Sequence, residues 1–122
     1  MSSALYKLFG EAAQALGRAN EARLLEAVEY LRERHAWILG VRQALPEEDS
    51  KGIDLVVTTD VGELYLQSKS SKTAAVDFMQ RRRKLLIAAV VVRGNKERVA
   101  GRALTALTDL RLAVLEKRKK AR

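Results

Sequence analysis

Cysteine is missing from this 122-residue chain. Disulfides, thiolate metal sites and thiol catalysis are thereby excluded, and nothing argues for an oxidising compartment. There is one histidine, His35, placed between a helical stretch and a strand. It reads as a partner for a helix C-terminus rather than as a general base. No apolar run approaches the ~20 residues that a membrane span needs. The first residues mix Leu, Tyr, Lys, Phe and Gly and reach Glu11 without a signal-peptide pattern. The expectation is a cytoplasmic protein with no membrane partner. Internal repeats and low-complexity linkers are also lacking, and at this length a single domain (residues 1–122) can bury its own core.

Acid is scarce in one half only. Residues 1–78 carry nine Lys/Arg against twelve Asp/Glu, and residues 79–122 carry fourteen against three, so balances of −3 and +11 make up the formal +8. The bases gather at Arg81, Arg82, Arg83 and Lys84, between Arg93 and Arg102, and in the tail that holds Lys117, Arg118, Lys119 and Lys120. Such asymmetry suits a protein that grips a polyanion with one part and acts with another. Basic runs taken alone fit a solvated helix face and a disordered tail equally well.

Along the chain, Leu5, Leu8, Phe9, Ala12, Ala13 and Leu16 recur at helical spacing and predict an amphipathic N-terminal helix over 1–16, ended by Gly17. Asn20 is a good N-cap for a second helix running to about Arg34, with Leu24, Leu25, Val28 and Leu31 on its buried side and Glu21, Glu26, Glu29 and Glu33 on its polar side. Trp37 to Val41 reads as a strand, and Leu45 to Ser50 as a polar loop. Thr73 to Arg83 is a short helix. The valine-rich run Leu85 to Val92 fits a strand buried on both faces and is the expected centre of the sheet. A last helix over 97–117 carries Val99, Ala103, Leu107, Leu110 and Val114, with Leu104 and Leu115 widening its apolar face toward a partner subunit, before a disordered basic tail over 117–122. The order α, α, β, β, β, α, β, α predicts one α/β domain with a hairpin-containing sheet.

Between these elements lies KGIDLVVTTDVGELYLQSKSS, residues 51–71. It reads as a β-hairpin turning at Asp60-Val61-Gly62. On its second strand Leu64, Leu66 and Ser68 point one way while Tyr65, Gln67 and Lys69 point the other. Asp54, between Ile53 and Leu55, is a poor strand former that is costly to bury unpaired, so a metal or lysine cation is its expected partner. Metal-assisted phosphodiester cleavage needs oxygen ligands for Mg²⁺, a cation near the scissile phosphate and an activated water. Asp54, Gln67 and the Ser68 carbonyl supply oxygens, and Lys69 supplies the cation. A further oxygen can come from an acid on the preceding helix.

Gly17-Arg18-Ala19-Asn20-Glu21, Gly52-Ile53-Asp54 and Leu66-Gln67-Ser68-Lys69 together resemble the PD-(D/E)XK nuclease superfamily, with the archaeal Holliday junction resolvases and Mrr-like restriction endonucleases as the nearest members. The likeness spans the core motifs over 17–92. It implies a restriction-endonuclease-like α/β fold, a mixed β-sheet flanked by helices in a single domain. It implies a catalytic set of Glu21, Asp54, Gln67 and Lys69, with Mg²⁺ or Mn²⁺ held by Asp54, Gln67, Ser68 and Glu21, and Glu26 in reserve. Ile53 stands where the motif has proline. Gln67 stands where it usually has an acid, which removes a negative charge, as Mrr-like members also do. The implied function is a DNA endonuclease, structure-selective like a junction resolvase, acting as a homodimer on branched DNA. Arg81 to Lys84 and Lys117 to Lys120 would hold backbone phosphates. Two alternatives stand beside it: a non-catalytic nucleic-acid-binding protein on the same fold, and a subunit of a larger assembly whose basic tail docks on RNA.

Overall fold

The computed structural model describes residues 3–82 and 86–121. Its elements are α1 (Ser3–Arg32), β1 (Ile38–Gln43), α2 (Pro46–Asp49), β2 (Leu55–Thr59), β3 (Gly62–Lys69), α3 (Lys72–Arg81), β4 (Ile87–Val91) and α4 (Lys96–Lys120). The four strands form one mixed sheet in the order β1-β2-β3-β4, antiparallel except for the parallel β3–β4 pair. A parallel pair needs a crossover, and α3 supplies it. The chain is thus a small α/β domain, and no helix among the described residues is long and apolar enough to cross a membrane.

One face of the sheet carries most of the core. Leu55, Val57, Leu64, Leu66, Ala88 and Val90 meet Leu24, Ala27, Val28 and Leu31 of α1 and Val99, Ala103, Leu107 and Leu110 of α4. Each fully buried Leu or Val here contributes roughly 1.5–3 kcal/mol. The other face is thinner. Ile53, Val56 and Ile87 form a small cluster there, edged by Ala44, Tyr65 and Phe78 of α3. The alternation expected on β3 holds, with Leu64 and Leu66 in the large cluster and Tyr65 against the small one.

Four sequence expectations are corrected. The two N-terminal helices are one, of 30 residues and about 45 Å at 1.5 Å per residue. Gly17 lies inside it in open space, and Asn20 is buried in its interior instead of capping it. A helical glycine costs only about 1 kcal/mol, and the Ala- and Leu-rich flanks outweigh both Gly17 and Gly10. β4 is an edge strand rather than the centre of the sheet, because β2 and β3 hold the middle. Residues 45–50, expected as loop, contain α2: Pro46 opens it with its fixed φ, and the Leu45 N–H donates to the Glu48 carboxylate at 2.8 Å. The tail is helical through Lys120. Arg83, Lys84, Leu85 and Arg122 lie outside the described residues.

Candidate metal centre

Asp54 comes immediately before β2, where the chain is irregular. Its N–H donates to the Leu66 carbonyl at 2.9 Å although Leu55 is already paired with Leu66, so two residues oppose one, as in a β-bulge. Asp54 Oδ2 accepts from the Ser68 N–H at 2.7 Å and from the Ser68 hydroxyl at 3.1 Å, and the residue is only 9% exposed. Ser68 thus acts on Asp54 through its N–H and hydroxyl, two contacts not foreseen for it from the sequence.

Glu21 reaches the same place from α1, where the helix begins to pack on the sheet. Asp49, at the end of α2, completes the group: Glu21, Asp49 and Asp54 each offer a carboxylate oxygen, all within 4.8 Å of one another. These three residues can hold a metal ion. They also line a cleft of about 350 Å³ with Arg18, Gln43, Ala44 and Pro46. Burial raises the Glu21 carboxyl above its ordinary value, helped by the charges of Asp54 and Asp49 and a hydrogen bond to Asp54, with Arg18 pulling the other way. Burial raises Asp54 too, against the two Ser68 hydrogen bonds and the positive charge of Lys69. Carboxylates this close repel, and a divalent cation would remove the conflict.

Gln67 and Lys69 sit on the α3 side. The Lys69 ammonium lies 5.3 Å from the centre of the Phe78 ring, and its charge still reaches Asp54. The Gln67 side-chain oxygen is buried and, among the described residues, accepts no hydrogen bond. It packs beneath Gly52, where a Cβ would stand 3.2 Å from it. Gly52 has φ +85°, so glycine is required there on conformational grounds as well. The three carboxylates fit a hard, oxygen-seeking cation, while the Gln67 oxygen lies against Gly52 near Phe78 and is not among the residues that line their cleft.

The other expected residues are engaged differently. Glu26 pairs with Lys96 at 3.5 Å, away from the cluster. Arg81 pairs with Asp77 at 3.1 Å, while Arg82 donates to the Ile87 carbonyl at 2.6 Å and serves the fold. Arg118 donates to the Val61 carbonyl at 3.0 Å, so the basic end of α4 is anchored at the hairpin turn. That turn and Lys69 are at opposite ends of β3, roughly 23 Å apart at 3.3 Å per residue. Lys117, Lys119 and Lys120 are exposed on that far end. His35 packs edge-on against Trp37 with ring centres 6.4 Å apart and is not part of the cluster. Asp49 was missed because its segment read as loop. Pro46 followed by Glu48, three residues after Leu45, was the signal that could have revealed a helix turn there.

No family model matches the sequence, and no curated protein or solved structure matches it either. The likeness to nucleases rests on the three short motifs alone.

Proposed function

We propose that the protein is a Mg²⁺- or Mn²⁺-dependent DNA endonuclease on a restriction-endonuclease-like fold, with branched DNA such as four-way junctions among its substrates. The observation that carries this reading is the convergence of Glu21 and Asp54, which are distant in sequence, beside the charge of Lys69. In it, Glu21, Asp49 and Asp54 hold the ion. The ion supplies Lewis-acid charge and lowers the pKa of bound water. Ser68 fixes the Asp54 carboxylate through two hydrogen bonds, so that one of its oxygens is held in place. Lys69 neutralises the non-bridging oxygens of the scissile phosphate as charge builds on them. The irregular backbone at Asp54 supports its part in holding the ion, since its carboxylate meets Ser68, Glu21 and Asp49.

The reading includes a homodimer, because a junction is two-fold symmetric and a two-fold pair presents a site to each of two strands. Tyr6, Leu8, Phe9 and Leu16 on the first half of α1 are exposed and offer an apolar face for a second copy. The core-facing stripe of α4 is spent inside the chain's own core, which leaves Leu112 and Leu115 as its exposed apolar residues.

The test is nicking of four-way and linear DNA with Mg²⁺ or Mn²⁺. Wild type cleaves, EDTA stops it, and Asp54→Asn and Lys69→Ala each reduce the rate about 10²- to 10³-fold, the scale of losing one transition-state partner. A second reading, a non-catalytic DNA-binding module, is favoured by Gln67 standing where the motif has an acid. Intact binding with no cleavage under either metal would establish it.

A further inference from the structure

The largest cavity among those described, about 600 Å³, is away from the carboxylates and is lined by Lys72, Val91, Arg93, Gly94, Arg98 and Arg102. Four of its six lining residues are cationic and none is acidic. Among the described residues none of the four forms an ion pair with a carboxylate; the nearby Lys96 takes Glu26 instead. Repulsion within such a group goes unrelieved unless an anion enters.

Local structure keeps the group together. Gly94 turns the chain with φ +84°, and the Arg98 side chain lies against it, 3.1 Å from where a Cβ would be. Arg102 donates to the carbonyls of Val91 at 3.0 Å and Arg93 at 2.6 Å, and Arg23 of α1 donates to the Gly94 carbonyl. Arg102 and Arg23 thus brace the loop, while Lys72, Arg93 and Arg98 are exposed and left to meet a ligand.

Position says which ligand. Val91, in the cavity wall, is the register partner of Lys69, and the Val92 N–H donates to the Lys69 carbonyl at 2.8 Å. The cavity and Lys69 therefore share the same end of the parallel β3–β4 pair, whereas Lys117 to Lys120 extend beyond the hairpin turn at the other end. A free nucleotide would want a ring to stack on, and the lining has no aromatic side chain. A phosphodiester backbone needs only charge and repeats its phosphates along its length.

We propose that this cavity binds a backbone phosphate of the DNA strand beside the one presented to Lys69, and so sets the path of the strand across the site. The proposal rests on the nuclease reading for the role of Lys69, but its test needs no cleavage. Fluorescence anisotropy of a labelled duplex, with the full chain in EDTA, gives the slope of log K against log salt for wild type and for Lys72→Ala/Arg93→Ala. Arg102 is left intact because it holds the loop. Loss of two phosphate contacts makes the slope shallower by about 2 and weakens binding about tenfold near 0.1 M salt. Lys7→Ala/Arg32→Ala, with two exposed bases on α1, should change binding less than about twofold on the same logic.

An unchanged slope in the cavity variant, with wild type still binding duplex, overturns the proposal and leaves the nuclease reading standing. Inorganic triphosphate protecting wild type against heat while no duplex binds also overturns it, in favour of a free anion. A shallower slope in a protein that never cleaves supports the cavity and removes the nuclease reading alone. Melting curves of both variants, expected to superimpose on wild type, confirm that the fold is intact.

Discussion

Two kinds of carboxylate stand around the hairpin. At the turn, Asp60 accepts two hydrogen bonds from Arg111, at 2.9 and 2.6 Å, and its carboxyl is held below the ordinary value by that guanidinium. Glu48 is treated alike by Arg42, at 2.7 and 2.9 Å, and is lowered to about 2. At the strand ends, Glu21 and Asp54 form no ion pair with an arginine among the described residues; burial raises both, helped by Asp54 and Asp49 at Glu21 and by Asp49 at Asp54. Folding gives the first kind a directly bonded guanidinium, while in the cleft Arg18 and Lys69 act on the acids only through their charge and burial outweighs them. Perturbation of this second kind, where burial and like charge coincide, is where function is sought.

The largest expected contrast is in cleavage. Asp54→Asn should reduce nicking by at least about 10²-fold while its metal-free melting temperature holds or rises, since the change relieves like-charge repulsion. Asp60→Asn should do the reverse, leaving nicking unchanged and lowering the melting temperature slightly, as exposed ion pairs contribute little. Equal losses of activity in the two variants would erase the distinction.

Gly52→Ala acts on the site without touching an acid. Its positive φ makes the change cost about 1–2 kcal/mol, and the added Cβ presses on the Gln67 oxygen. Thermal unfolding should show the loss, and the metal dependence of cleavage should move to higher concentrations.

The smallest effect is a pH dependence of opposite sign for the two kinds of carboxylate. Glu48, whose ordinary value is 4.5, stabilises fully above that pH and loses its contribution as pH falls toward about 2. Glu21 starts from the same ordinary value but is raised in the fold, so the folded chain holds the proton more tightly and stability falls as pH rises from 4.5 through the raised value. In EDTA, melting temperatures of Glu21→Gln should decline less than those of wild type between about pH 4.5 and neutrality. Parallel curves would mean that Glu21 carries no strain.

Much of this was legible in the chain. The hairpin over 51–71 was readable because β-branched runs flank Asp60-Val61-Gly62, and the faces of β3 followed from a period of two. The pairing of Glu21 with Asp54 followed from motif order. The helix boundary at Gly17 misled, because a glycine ends a helix only where the chain also needs a left-handed residue, and Gly17 has no positive φ. β4 looked central because it is valine-rich, yet Ile87, Ala88 and Val90 are buried by α3 and α4 packing on an edge strand. Asp49 and the cavity at Arg93 escaped notice since both arise where short segments meet in space, at distances that no spacing rule encodes.

The central claim is that the unpaired acids are a metal site, and Mn²⁺ titration calorimetry at pH 7 without DNA tests it most directly. Wild type and Asp60→Asn should bind Mn²⁺ alike, while Asp54→Asn loses most of the heat and the affinity. Equal Mn²⁺ binding by Asp54→Asn and wild type would contradict the account.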